Sequence, residues 1–459
     1  MKNVISNHLN NPILRISVTL IAVVLITGCG PAAWETTRTA VPTAEAPTLT
    51  LNIPTESVSP PEPVSPAESV SPAESASPTE AEPPRTTTNE EDPEPIGVIL
   101  FIGDGMGRAH RQAAAWKGYG RDGQLAMDGL KVHGSLSTTA VGSMITDSAA
   151  AASAMASGVR TRNGLVGLNP ALEKLPTVLD RAQQLGMAVG LVTNTQLPHA
   201  TPAAFAAHSE NRWDMEGITP QLLETGVDVL LGGGENYFLP AGSQGCHPEP
   251  GKREDGRNLV LEAREAGYLT ICQPDELRAL RPGDADRLLG VFADEGLPRP
   301  FSPSLAEMTE AALDVLVQNP TGFFLVVESG QIDWASHGNA AYNAIQDTLA
   351  LDEAVQAVLD YTADYPNILL IVTADHETGG MEVHSQPTGK GGEDGPFSGP
   401  DEFVFYVTWS TDTHTNADVP VTAQGPGADL LEGEHKNTRV FEAVLTSFSD
   451  AGFSEQQAD

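Results

Sequence analysis

The feature that most constrains the fold of this chain is a series of short apolar runs, rich in Val, Ile and Leu, that alternate with helical patterns after residue 96. Apolar residues occupy successive positions in these runs, which is typical of strands buried on both faces. The sequence therefore predicts an α/β domain whose central, mostly parallel β-sheet is flanked by helices on both faces. Expected strands are 96–102, 188–192, 227–231, 288–292, 323–327, 368–372 and 403–407; expected helices are 148–157, 176–185, 259–266, 305–318 and 341–361.

The N-terminus carries the pattern of an export signal. Lys2 and Arg15 precede an apolar run at 16–26, which is too short to span a bilayer comfortably and ends just before Cys29. Residues 1–28 resemble a bacterial lipoprotein signal peptide, which implies cleavage before Cys29 and attachment of lipid to its thiol. A plain secretory signal with an incidental cysteine is the alternative. Either interpretation predicts export, and the first adds a lipid anchor on the extracytoplasmic side of the membrane.

A segment of biased composition follows at residues 29–95. It is rich in Pro, Ser, Thr, Glu and Ala, and a degenerate six-residue repeat begins at Ser65, Ser71 and Ser77. Because it has no apolar periodicity that could form a core, we predict a disordered tether, with a protein-binding stalk as the alternative. Residues 96–459 are long enough for one large α/β domain.

Charge and cysteine content limit the partners. The formal net charge of −36 is spread along the chain, which argues against nucleic-acid binding and favours an acidic surface. Besides Cys29 the chain has Cys246 and Cys272. In an exported protein these two residues could form a disulfide, and two buried free thiols are the alternative.

A hydroxyl residue stands at the head of a run of small residues. Ser148 follows Asp147 and precedes four alanines, and Gly158 provides a natural helix end. The pattern predicts a helix from about Ser148 to Ser157. A negative charge at its N-terminus would meet free backbone N–H groups, so Ser148 is a candidate nucleophile, with an ordinary helix cap as the competing interpretation.

Carboxylate and imidazole side chains follow three of the predicted strands. Asp104 lies between glycines after the first strand; Asp333 with His337, and Asp375 with His376, follow two later ones. Asp333 and His337 are four positions apart, so one helical turn would direct both at one ion. Mixed carboxylate and imidazole ligands suit zinc, and two zinc ions about 4 Å apart would contact the attacking and leaving oxygens of a phosphoryl transfer.

Taken together, these motifs resemble those of the alkaline phosphatases, in order and across residues 96–459. They are Gly103-Asp104-Gly105-Met106-Gly107, Thr146-Asp147-Ser148-Ala149-Ala150, residues 328–337, and Thr373-Ala374-Asp375-His376. The resemblance implies the fold of that family and the hydrolysis of phosphate monoesters to phosphate and an alcohol through a phosphoserine at Ser148. It implies two zinc ions and one magnesium ion as cofactors.

The resemblance also assigns metal ligands. The ligands of the first zinc would be Asp104, Asp375 and His376, together with the Ser148 oxygen; those of the second would be Asp333, His337 and a later histidine. His414 fits the later histidine best, and His384 and His435 are its rivals.

The segment 193–212 completes the implied site. By resemblance, Arg212 holds two non-bridging phosphate oxygens, a task suited to its planar guanidinium. Thr201 and Glu328, with Asp104 as a bridge, would hold the third ion, usually magnesium.

Two positions depart from one well-known version of the family pattern. His199 stands where some relatives have Asp near the third ion, and Trp334 stands where some have Lys near the phosphate. A nitrogen ligand suits magnesium poorly, so zinc or cobalt could compete for the third site. The missing Lys charge should weaken the binding of both substrate and product.

Other functions compete with this interpretation. Ser148-Ala149-Ala150-Ala151-Ala152 cannot serve as a sulfatase motif, which needs a Pro and an Arg at fixed positions. A phosphodiesterase side activity stays open, as does a tethered phosphate-binding protein without turnover. Dimerisation, common among the relatives, is also left open. Because Ser148 must lose a proton, activity should rise toward alkaline pH.

Overall fold

The computed structural model of the protein describes residues 96–450, apart from positions 364 and 366. The predicted signal peptide at 1–28, the predicted lipid attachment at Cys29 and the predicted tether at 29–95 lie outside the described residues.

Strands and helices alternate along the described domain. The strands are Gly97–Gly103 (β1), Val132–Ser137 (β2), Ala188–Gln196 (β3), Val229–Gly233 (β4), Leu269–Ile271 (β5), Leu288–Val291 (β6), Phe323–Ser329 (β7), Ile368–Thr373 (β8), Glu377–Thr378 (β9), Glu382–His384 (β10), Asp394–Ser398 (β11), Val404–Thr408 (β12), His414–Thr415 (β13), Val419–Gln424 (β14) and Gly433–Lys436 (β15). The α-helices are Arg108–Tyr119 (α1), Ser148–Ser157 (α2), Val178–Gln184 (α3), Ala200–Ala206 (α4), Met215–Glu224 (α5), Leu259–Glu265 (α6), Pro274–Ala279 (α7), Leu305–Leu316 (α8), Gln331–His337 (α9), Ala341–Tyr361 (α10) and Arg439–Asp450 (α11).

Ten of these strands form one sheet, in the order β15-β2-β14-β8-β1-β7-β3-β4-β6-β5. Neighbouring strands are parallel except at β14, which runs antiparallel to both β2 and β8. Every residue of β1, β3 and β7 is buried, so helices cover both faces of the sheet centre, as predicted. One group of helices contains α1, α8 and α10, and another contains α2, α4 and α11.

Helix ends agree closely with their local signals. Helices α2 and α10 have the predicted bounds, and α3, α6 and α8 are one to three residues shorter than predicted. At the start of α8 the Ser304 hydroxyl accepts from the Glu307 N–H at 3.1 Å, and the Glu307 carboxylate accepts from the Ser304 N–H at 2.8 Å, so the two residues form a capping box.

No helix in the part of the chain that the structure describes is both long enough and apolar enough to cross a bilayer.

One predicted strand lies elsewhere than expected. Strand β12 corresponds to the run at 403–407, but it belongs to a separate antiparallel sheet in the order β10-β12-β11. Phe405 and Val407 pack in a small second core with Ala113 of α1, whereas Val404 on the other face is exposed and Tyr406 is only half-buried. The expectation of burial on both faces was therefore wrong for this run. Its aromatic residues make it resemble a fully buried strand in sequence, but only one of its faces is covered in the structure.

The two cysteines left open by the sequence are paired. Cys246 and Cys272 form a disulfide with a Cα–Cα distance of 6.3 Å. It joins the segment after β4 to the end of the edge strand β5.

The topology brings three strand ends together. Strand β1 lies between β7 and β8, parallel to both, with Ile102 opposite Glu328 on one side and Thr373 on the other. The carboxyl ends of parallel strands meet at one edge of a sheet, so the loops after β1, β7 and β8 share that edge.

Candidate active site

The first cluster of the site consists of Asp104, Asp375 and His376, whose side chains are fully buried. His376 Nε2 lies 3.4 Å from an Asp104 oxygen and 3.2 Å from an Asp375 oxygen. The other Asp375 oxygen accepts from the backbone N–H groups of Gly105 and His376, at 3.1 and 2.9 Å. These bonds hold the loops after β1 and β8 together, so the three side chains converge although 271 positions separate Asp104 from Asp375.

The second cluster contains Asp333 and His337 of α9 and His414 of β13. His337 Nδ1 lies 2.7 Å from the Asp412 carbonyl, and His414 Nδ1 lies 2.8 Å from the Thr146 carbonyl. A carbonyl only accepts, so each Nδ1 carries the proton and each Nε2 exposes its lone pair. The two Nε2 atoms are 3.1 Å apart and 3.4 to 3.6 Å from the Asp333 carboxylate. Two lone pairs and a carboxylate this close together make a site for a cation.

A third group surrounds Asp104 on its other side. His199 and Glu328 have ligand atoms within 4.8 Å of each other and of Asp104. One Glu328 oxygen accepts from the Thr193 and Thr195 hydroxyls, at 2.5 and 3.2 Å. The other lies 3.9 Å from His199 Nδ1, too far for a hydrogen bond.

Ser148 is the first residue of α2, and its side chain is buried. The helix cap is Asp147, whose carboxylate accepts from the Ala150 N–H at 3.0 Å. The interpretation of Ser148 as an ordinary cap is therefore wrong, because the preceding residue has that role. The Ser148 hydroxyl instead lies 3.3 Å from His376 Nε2 and 3.4 Å from a guanidinium nitrogen of Arg212.

Arg212 reaches the same point from the loop after α4. One terminal nitrogen donates to Asp147 at 3.2 Å, and the other lies close to Ser148 and 3.5 Å from His199 Nε2. The Trp213 ring packs 4.9 Å from the guanidinium carbon. A cation held this way beside a helix N-terminus forms a binding site for an anion.

The two histidines that rivalled His414 as a metal ligand lie away from the second cluster. His384 lies on β10 and contacts the Thr408 hydroxyl, and His435 lies on β15 and contacts the Glu432 carbonyl, so neither joins the second cluster. Trp334 is half-buried, and its ring meets that of His199 edge-on with the centroids 6.0 Å apart. The two departures from the family pattern therefore touch each other.

The electrostatics of the buried side chains favour bound cations. Burial raises the pKa of Asp104 well above its usual value, and the carboxylates of Asp375 and Asp333 raise it further. Burial also raises the pKa of Asp375 and lowers that of His376 well below its usual value, with the nearby His414 adding to the second effect. Positive charge among these groups would offset both the desolvation and the repulsion.

Unpaired polar atoms test whether metal ions fit. Within residues 96–450, the buried side-chain atoms of the three clusters and of Thr201 that have no hydrogen-bond partner are Asp104 Oδ1 and Oδ2, Asp375 Oδ2, Glu328 Oε1, His199 Nδ1 and Thr201 Oγ1. Each such atom costs about 1–3 kcal/mol unless something else satisfies it. All of them can ligate a cation, and the mixture of oxygen and nitrogen donors suits zinc, so the residues present fit the implied metals.

Two side chains of the site were not predicted. Asp147 caps α2 and accepts a hydrogen bond from Arg212. The sequence feature that could have identified Asp147 is its position directly before Ser148. Thr378 contacts both Asp333 and His376. Its signal was weaker: it lies two positions after His376 in an extended segment, where residues i and i+2 share a face.

The fold and the site define a class of protein: an α/β enzyme with a serine hydroxyl that faces clusters of metal-type ligands at the carboxyl edge of its sheet. The chain belongs to the alkaline phosphatase family. The model of that family, described as Alkaline phosphatase, matches residues 97–394. The chain is accordingly a metal-dependent phosphoric monoester hydrolase.

Individual relatives support the assignment. Alkaline phosphatase 4 of Bacillus subtilis is 37% identical over 303 residues, which cover 62% of each chain and thus less than two thirds of that relative. Streptomycin-6-phosphate phosphatase of Streptomyces griseus is 36% identical over 424 residues, 79% of this chain and 92% of that protein. Among solved structures, alkaline phosphatase from the Antarctic bacterium TAB5 superposes with a TM-score of 0.67 at 26% identity, covering 78% of this chain and 99% of that one. A histidine-to-aspartate mutant of the TAB5 enzyme, with Mg bound in the M3 site, has a TM-score of 0.66 at 27% identity and covers 78% and 98%.

Proposed function

We propose that the chain hydrolyses phosphate monoesters through a phosphoserine at Ser148, with two zinc ions and a third ion in its site. The observation that supports this most is the position of the Ser148 hydroxyl. Ser148 is the first residue of α2 but does not cap the helix. Its hydroxyl lies within 3.4 Å of both the His376 imidazole and the Arg212 guanidinium. A hydroxyl placed between metal-type ligands and an anion-binding Arg is suited to attack on a phosphate.

The metal assignment follows the three clusters. Asp104, Asp375 and His376 would hold one zinc; Asp333, His337 and His414 the second; Asp104, Glu328 and Thr201, with His199 beside them, the third ion. When bound, such cations favour the ionised serine and stabilise charge on the departing alcohol oxygen.

The chain's own residues would carry out the following steps. Arg212 binds two non-bridging oxygens of the phosphate, and Asp147 keeps the guanidinium in place. The Ser148 hydroxyl releases its proton to solvent, and its oxygen forms a bond to phosphorus while the bond to the alcohol oxygen breaks. The departing alcohol oxygen takes up a proton from solvent. Water then attacks the phosphoserine, which releases phosphate and restores the serine. The positive end of the α2 dipole favours the negative charge that develops in both steps.

Replacement of Ser148 tests this function. We expect Ser148→Ala to leave folding and zinc content nearly unchanged, since Asp147 still caps α2, while turnover of a chromogenic phosphate monoester falls by orders of magnitude. Quenching the wild-type enzyme with acid in the presence of labelled substrate should leave label on the peptide that contains Ser148. Label on another residue, or on none, would contradict the mechanism. Phosphate diester and sulfate ester assayed alongside measure side activities.

We also propose that the protein is exported and anchored by lipid on Cys29, on the basis of the signal-like sequence at 1–28. Mass spectrometry of the N-terminal peptide from membranes should show a lipid-modified Cys29. The variant Cys29→Ala should then lose this modification and leave the membrane fraction. An unmodified Cys29 within an intact N-terminus would contradict the proposal.

A further inference from the structure

Thr378 joins the two predicted zinc clusters through a single hydroxyl. The residue is fully buried, and its Oγ1 lies 2.5 Å from Asp333 Oδ1 and 3.2 Å from His376 Nδ1. Asp333 belongs to the second cluster and His376 to the first. One side chain that ligates neither ion therefore contacts a ligand of each.

The hydroxyl has one proton to donate, which sets the direction of both hydrogen bonds. An ionised carboxylate only accepts, so the proton of Thr378 goes to Asp333. The bond to His376 must then run the other way, from a protonated Nδ1 to Thr378 Oγ1. This leaves the lone pair of His376 on Nε2, the atom that faces Asp104, Asp375 and Ser148.

We propose that Thr378 is a positioning residue that sets the tautomer of His376 and the orientation of Asp333, and so couples the two metal sites. The inference rests on the proposed ligand set and adds to it a residue that orients ligands of both ions. His337 and His414 have their Nδ1 protons fixed by backbone carbonyls, whereas His376 depends on this side chain. Partners of this kind commonly affect metal affinity strongly.

The surrounding backbone holds Thr378 in place. Its N–H donates to the Gly105 carbonyl at 3.1 Å, next to Asp104. Its strand β9 pairs with β13, where Thr378 lies opposite His414. Gly105 has a φ of +73°, and a Cβ there would lie 2.8 Å from Thr378 Oγ1 and 3.0 Å from Asp333 Oδ1. The hydroxyl therefore sits in a tightly packed space between segments that carry ligands of both clusters.

Three variants of the full chain distinguish the effect of the Thr378 hydroxyl from the effect of the side chain's shape. Thr378→Val keeps the shape and removes both hydrogen bonds, whereas Thr378→Ser keeps the hydroxyl. Thr309→Val is the control, because Thr309 is also fully buried but donates to the Leu305 carbonyl of its own helix. Competition with a chelator measures the affinity for zinc. We expect Thr378→Val to weaken zinc binding about 10- to 100-fold, with Thr378→Ser and Thr309→Val close to wild type.

Nitrogen NMR of the zinc-depleted chain gives a second readout. With labelled histidines, and with His376→Gln to assign its signal, the wild type and Thr378→Ser should show His376 protonated at Nδ1. Thr378→Val should lose that preference. Wild-type zinc affinity in Thr378→Val, or a proton on His376 Nε2 in the wild type, would overturn the proposal. Both measurements are made without substrate, so failure of the phosphoserine mechanism would be seen separately.

Discussion

At the scale of single residues, the site combines groups that no short motif contains. His199 and Trp334 come from the loop before α4 and from α9, yet their rings meet edge-on beside the third cluster. His199 Nδ1 faces Glu328 at 3.9 Å without a hydrogen bond. A nitrogen donor at this point favours zinc or cobalt over magnesium.

We predict that His199→Asp together with Trp334→Lys increases activation by magnesium and strengthens inhibition by phosphate. The first change supplies an oxygen ligand, and the second supplies a cation. Titration of the zinc-loaded enzyme with magnesium and measurement of the phosphate inhibition constant would test this. The single variants show which change acts on which quantity, and an unaltered magnesium response in His199→Asp would contradict the argument.

At the scale of elements, Asp147 has two separable roles. One carboxylate oxygen caps α2 at the Ala150 N–H, and the other accepts from the Gly164 N–H and from Arg212. Helix stability and phosphate binding therefore share a side chain.

We predict that Asp147→Ala lowers the free energy of unfolding by at least about 1 kcal/mol and also weakens phosphate inhibition. Asp147→Ser should recover most of the stability, because Ser is a good cap, while phosphate inhibition stays weak because Arg212 has lost its anchor. Denaturant unfolding and inhibition assays measure the two quantities. Equal recovery of both in Asp147→Ser would show that the contact with Arg212 has no functional role.

Helix α1 depends on an uncharged histidine. His110 Nδ1 accepts from the Gly107 N–H at 3.1 Å, so its Nε2 carries the proton and donates to the Ser336 hydroxyl at 2.9 Å. Burial lowers the pKa of His110 to about 3. Protonation would destroy the bond at the start of the helix.

The sign of the pH effect follows from this shift. The folded-state pKa lies below the unfolded value of about 6.5, so stability is complete above pH 6.5 and is lost as pH falls toward 3. At pH 4.5 the predicted loss from this group is about 2–3 kcal/mol. In denaturant unfolding, the free energy of unfolding of His110→Asn should fall about 2–3 kcal/mol less than that of the wild type between pH 7 and pH 4.5. His133→Asn, at an exposed position, should lose as much as the wild type. Identical pH profiles for the wild type and His110→Asn would contradict this.

At the scale of the whole molecule, the disulfide fastens one edge of the large sheet. Strand β5 is the terminal strand and pairs only with β6 within the described sheet. Cys272 follows it directly and is linked to Cys246, 26 positions earlier.

We predict that Cys246→Ala with Cys272→Ala lowers the free energy of opening this edge of the sheet by up to about 3 kcal/mol, the loop-closure entropy for a loop of this length. The effect should be local, because edge elements open first. Hydrogen exchange should accelerate in Leu269–Ile271 and remain slow in the central strand β1. Uniform acceleration of both strands would show that the disulfide supports the entire fold instead.

The sequence by itself determined what local rules govern. The bounds of α2 follow from its alanines and Gly158, and the buried strands β1, β7 and β8 follow from their apolar runs, because helix propensity and burial pattern act over neighbouring positions. The sequence likewise predicted the types of metal ligand that follow those strands, through the chemistry of Asp and His and through the resemblance to a family.

Only the tertiary structure decided which distant residues meet. His414 joins Asp333 because β13 pairs with β9, whereas His384 and His435 lie on other strands. The same pairing places Thr378 between the two clusters, and the sheet order decided that the run at 403–407 is covered on one face alone. These contacts depend on strand order and on side chains tens to hundreds of positions apart, about which local propensity carries no information.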